Sequence, residues 1–147
     1  MMREHERKVL IGALKALIKI HDELPKMDPA ARAKTLEECQ NAAMQVGEAA
    51  ERSEGEGTAA VKHLEEYCEG LYMLSQETDE FSIRKKARML DRTINDAILE
   101  LLELKTHRLV YFLPYKASMW DCLASVWRAA ASDDGCEAVV MPIPYFD

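Results

Sequence analysis

The chain has 147 residues, enough for one ordinary domain or for a helical module joined to part of a second. Apolar residues at 48% suffice for a core, and charged residues at 31% keep the surface in water. A net charge of -7 and a pI near 5.2 lack the basic face that nucleic-acid phosphates require, which argues against a nucleic-acid partner. The four cysteines (Cys39, Cys68, Cys122, Cys136) lie far apart with no Cys-x-x-Cys pair. The first residues are charged, and the apolar residues after them are interrupted by lysines, which makes neither a signal-peptide core nor a membrane span. Reduced thiols in a soluble, cytoplasmic protein are the expectation.

The spacing predicts a first helix from about Arg3 to Glu23, with Leu10, Leu14, Leu17, His21 and Leu24 on one stripe. Pro25 ends it. Asp28-Pro29 marks a restart: the Asp28 carboxylate can accept from free amides, and proline at the first helical position loses no hydrogen bond. The second helix runs from Pro29 to about Arg52 on a stripe of Leu36, Cys39, Ala43, Val46 and Ala50, small side chains that permit close packing. Ser53-Glu-Gly-Glu-Gly57 reads as a loop. A third helix follows from Thr58 to about Gln76, with Val61, Leu64, Cys68, Leu71 and Tyr72 expected inside.

The fourth helix is the most regular, with Ile83, Ala87, Leu90, Ile94, Ala97, Leu101 and Leu104 at alternating four- and three-residue steps. A bundle seam is the commoner meaning of so short a heptad run. The helical period stops at Lys105-Thr106, so residues 1–105 are expected to form a bundle of about four antiparallel helices and residues 106–147 a second part. In that part, His107 to Tyr115 is an apolar, β-branched and aromatic run closed by Pro114. Ser118 to about Ser132 is an amphipathic helix, and Cys136 to Pro144 a second apolar run closed by prolines. Strand, crossover helix and strand make a βαβ unit whose strands should be covered on both faces. Two such strands leave both edges open, so this part reads as an incomplete α/β lobe within a mostly α chain.

No metal site emerges. The residues three before the four histidines are Met2, Ile18, Ala60 and Leu104, so the Glu-x-x-His pairs of metal-binding bundles are absent, and no cofactor is implied. His21, on the apolar stripe, reads as a hydrogen-bonded histidine at the bundle edge, and His63 as solvated. Arg84, Lys85, Lys86, Arg88 and Arg92 make a local basic patch, either a solvated face or a surface for an anionic membrane or phosphate polymer. The turn after the first strand is the more suggestive place, because ligands of open α/β sheets bind beyond the carboxyl ends of the strands. There Ser118 and Asp121 have capping-box spacing, and the free amides with Lys116 nearby can hold an anion such as phosphate; a plain helix cap is the alternative.

The run Val110-Tyr-Phe-Leu-Pro-Tyr-Lys-Ala-Ser-Met-Trp-Asp-Cys-Leu-Ala-Ser-Val-Trp127, followed by Cys136-Glu-Ala-Val-Val-Met-Pro-Ile-Pro-Tyr-Phe-Asp147, resembles a segment of bacterial CDP-glycerol glycerophosphotransferases of the teichoic-acid polymerase type. The resemblance covers about forty residues; the preceding hundred match only in being helical. It implies a glycosyltransferase-B architecture whose first Rossmann-like lobe opens here, and transfer of glycerol phosphate to a polymer at the cytoplasmic membrane face. The family's catalytic histidines lie in His-Gly motifs that no histidine here matches, so no catalytic residue carries over. Only the turn from Lys116 to Asp121 carries over, as part of an acceptor-side surface. The competing expectation is a small interaction protein whose strands pair across a dimer. Trp120, Trp127, Tyr145 and Phe146 are hard to bury in so small a unit, so a homo-oligomer is expected either way.

Overall fold

The computed structural model describes residues 1–112, 120–133 and 135–140. The chain is mostly helical, with five helices among the described residues. It divides into two compact units, one spanning His5–Leu104 and the other gathering Met1–Glu4 with the chain from Lys105 onward.

The larger unit is built from α1 (Glu4–His21), α2 (Pro29–Glu54), α3 (Ala59–Ser75) and α4 (Glu80–Glu103), with a single 3-10 turn, Leu24–Lys26, after α1. The boundaries follow local chemistry. Pro25 sits inside the 3-10 turn and its neighbour Leu24 is fully buried, so the chain folds back instead of continuing α1 to Glu23. Asp28 Oδ1 accepts from the Ala31 amide at 2.7 Å, with Pro29 as the first helical residue. Asp79 caps α4 in the same way, accepting from the Ser82 amide at 3.0 Å. The glycines of the α2–α3 loop, Gly55 and Gly57, have φ of 89° and 78°, a region any side chain would strain. Asp28→Ala should cost about 1 kcal/mol, read as a lower urea midpoint of the full chain with an unchanged slope.

Neighbouring helices run antiparallel. At the start of α1, the Arg7 guanidinium donates to the Leu102 and Leu104 carbonyls, at 3.2 and 3.3 Å, at the end of α4. Ser53 Oγ, at the end of α2, donates to Glu6 at 3.4 Å. α3 packs on both α2 and α4, which closes a ring of four. α3 and α4 approach closely at Gly70, where a Cβ would stand 2.7 Å from the Leu90 side chain. The expected stripes of α2 and α4 are buried, Leu104 excepted, which is half-buried at the end of its helix.

On α3 the inward set differs from the expected one. Tyr72 is 69% exposed and Cys68 is half-buried, whereas Tyr67 is fully buried with Ala60, Val61, Leu64, Leu71 and Leu74. Ala60, Leu64, Tyr67, Leu71 and Leu74 follow steps of four and three, which puts Tyr67 on the buried stripe and turns Tyr72, five residues on, away from it.

In the smaller unit, β1 (Met2–Arg3), β2 (Thr106–Phe112) and β3 (Cys136–Val140) lie in that order. β1 runs parallel to β2 with Met2 opposite Thr106, and β2 runs parallel to β3 with Arg108 opposite Cys136 and Phe112 opposite Val140. Between β2 and β3 in sequence comes α5 (Trp120–Ser132), which packs against both. Thr106 Oγ1 donates to Glu4 Oε2 at 2.6 Å beside the first pairing. The pairing of residues 2 and 3 takes one edge of β2 and was not expected, since the N-terminus read as helix from Arg3. No residue of β3 is buried, against the expectation of a strand covered on two faces; α5 packs against it, and Glu137 and Val140 stay exposed. The parts of the two apolar runs at residues 113–115 and 141–144 lie outside the described residues.

Candidate functional site

The bundle interior holds one buried polar chain with a member from each helix. His21, the last residue of α1, is fully buried rather than at the bundle edge. Its Nδ1 lies 2.7 Å from Asp91 Oδ1 on α4, and its Nε2 lies 2.6 Å from the Tyr67 hydroxyl on α3. The Tyr67 hydroxyl also interacts with the thiol of Cys39 on α2, which is 1% exposed. Asp91 is the only member with appreciable exposure, 26% of its side chain.

The directions of these bonds follow from donor and acceptor inventory. A carboxylate only accepts, so Nδ1–H donates to Asp91 and Nε2 is left to accept the Tyr67 O–H. This order needs neutral imidazole, and burial provides it. Desolvation lowers the His21 pKa below its ordinary 6.5, outweighing the hydrogen bond and charge of Asp91 and the charge of Asp22. Burial pushes the Tyr67 phenol and the Cys39 thiol up, so both stay protonated.

Carboxylate, imidazole and hydroxyl stand in the order of a hydrolytic triad. The hydroxyl, however, belongs to a fully buried tyrosine whose ionisation burial opposes, so this arrangement presents no nucleophile to solvent. What the arrangement does chemically is tie α1, α3 and α4 in one register, because the buried imidazole has both partners only in that packing.

Outside this chain, a cavity of about 160 Å³ lies between the end of α1, the 3-10 turn and α4. Its lining combines His21, Asp22 and Asp91 with the cations Lys26, Arg84 and Arg88. The basic patch is therefore divided. Arg84 and Arg88 face this cavity, Arg84 also pairing with Glu80 at 2.7 Å. Lys85 and Arg92 lie exposed farther out, and Lys86 sits on the other flank, 3.5 Å from Glu77. Lys116 and Ser118 of the anion-binding turn lie outside the described residues, and Asp121 is the second residue of α5. His63, expected in solvent, is half-buried, 3.6 Å from Glu66 and 3.9 Å from Glu100. Among the described residues no three His, Cys, Asp or Glu side chains converge as a metal site, and Cys39, Cys68 and Cys136 are free thiols. No helix among them is long and apolar enough to cross a membrane.

Comparison with protein-family models, with curated proteins and with solved structures finds no match to this chain.

Proposed function

We propose that this chain is the N-terminal portion of a glycerophosphotransferase-like enzyme of cell-envelope polymer synthesis, acting at the cytoplasmic face of the membrane. In this reading the smaller unit belongs to the first Rossmann-like lobe of a glycosyltransferase-B architecture. The parallel pairing of β2 and β3, with α5 between them in sequence, carries the reading. It is the arrangement a βαβ unit of such a lobe requires, and it frames the Leu113-Pro-Tyr-Lys-Ala-Ser-Met-Trp-Asp121 run on which the resemblance rests. Lys116, Ser118 and Asp121 are then part of the acceptor-side surface. The bundle is a positioning or oligomerising module without chemistry of its own, which fits a polar chain whose thiol and phenol are buried and neutral.

The purified chain alone is expected to release no CMP from CDP-glycerol. Antibody raised to it should detect, in source cells, a product several times heavier than 16.7 kDa. A native product of 16.7 kDa would overturn the enzyme reading in favour of a small helical interaction protein.

A further inference from the structure

The long sides of the bundle differ in charge. α2 and α3 carry eight acidic against four basic side chains, whereas α1 and α4 carry nine basic against seven acidic. Between α2 and α3 lies a groove of about 340 Å³ with Val61 and Leu64 in its floor, open at Gly47, which has no side chain to fill it. Glu48, Glu51 and Glu65 stand along it, and none of the three has an ion-pair partner among the described residues.

The outer stripe of α4 has the complementary character. Phe81, Lys85, Arg88 and Arg92 follow steps of four, three and four residues and so share one helix face. Phe81 is 74% exposed, and the three cations are exposed with no ion-pair partner among the described residues. A surplus of carboxylates is ordinary on a chain of net charge -7, but an unbalanced cationic stripe headed by an exposed phenylalanine is not. Because α1 and α3 each lie between α2 and α4, the α2–α3 groove and the α1–α4 side face away from each other.

We propose that the α2–α3 groove of one molecule receives the Phe81–Lys85–Arg88–Arg92 stripe of a second copy, joining molecules head to tail. The inference stands apart from the enzymatic reading. The two patches are different and back to back, so the contact is heterologous: every added molecule leaves one groove and one stripe free, and assembly does not stop at two. Attraction between exposed charges is strong at low ionic strength and screened by salt.

Sedimentation velocity of the full chain over a concentration series tests this. At ~20 mM salt the weight-average mass should climb past twice 16.7 kDa without a plateau, and at ~0.5 M salt it should return to one protomer. The paired reversals Glu48→Lys/Glu65→Lys and Lys85→Glu/Arg92→Glu, all at exposed positions, should each weaken association by about tenfold or more. An equimolar mixture of the two variants should associate again, because the reversed stripe then meets the reversed groove. Circular dichroism of each variant checks that the helices persist. A monomer throughout the low-salt series, a plateau at the dimer, or association indifferent to either reversal would overturn the proposal.

Discussion

Tyr67→Phe is expected to destabilise the bundle by about 1–3 kcal/mol although it removes a single oxygen. The apolar part of the ring stays packed, so little is lost from the hydrophobic side. The cost comes from what the oxygen leaves behind: His21 Nε2, fully buried, loses its partner. Adding His21→Leu to Tyr67→Phe should cost less than the two single changes together, because the second substitution removes an atom the first had orphaned. Asp91 differs from both. At 26% exposure its carboxylate can turn to water, so Asp91→Ala acts mainly through the imidazole N–H it abandons. Urea unfolding of the wild type, the singles and the His21→Leu/Tyr67→Phe double completes the cycle. Strict additivity would mean that the buried groups do not depend on one another, and that the register of the four helices is set by apolar packing alone.

Much of the bundle was legible because a helix's own periodicity reports its own buried face. The stripes of α2 and, but for Leu104, of α4 are buried as their spacing implies, and the helix restarts at Asp28-Pro29. The position of His21 on an apolar stripe was equally plain, since a polar ring among leucines needs a partner. The partners were not legible. Tyr67 and Asp91 lie 46 and 70 residues away on other helices, and periodicity says nothing about which flank of one helix meets which flank of another. Yet Tyr67 itself was within reach of the sequence, because Ala60, Leu64, Tyr67, Leu71 and Leu74 repeat at steps of four and three and Tyr72 falls off that stripe. The division of the basic patch, by contrast, was available from the about 100° turn per residue, which sets Lys86 on the flank opposite Arg88. β1 offered no signal at all: two residues have no alternation to read, and their partner lies at Thr106 and His107, at the far end of the bundle sequence.

The charge state of His21 should make acidification the second large effect. In the folded chain the His21 pKa lies below its ordinary 6.5, chiefly because burial penalises the imidazolium. The unfolded chain therefore takes up this proton first as pH falls. The contribution to stability is complete above about pH 6.5 and declines below it, by at most about 1.4 kcal/mol per pH unit for one site. The decline ends once pH has passed the lowered folded-state value. The groups facing the ring set the balance: Asp91 and Asp22 favour the cation, while Arg84, Arg88 and Lys26 line the cavity beside it and the Tyr67 hydroxyl accepts no second proton from it without turning. When the ring does charge, Nδ1–H still donates to Asp91, but Nε2–H must now donate to Tyr67, whose own hydrogen has to turn away from the ring. Urea midpoints of the full chain should fall from pH 7 to pH 5, and those of His21→Leu should fall distinctly less over the same range. His5, His63 and His107 are present in both proteins, so the difference between the two slopes belongs to position 21. Parallel slopes would place the acid sensitivity elsewhere, and a midpoint that rises toward pH 5 in the wild type alone would mean that the Asp91 carboxylate outweighs burial at this ring.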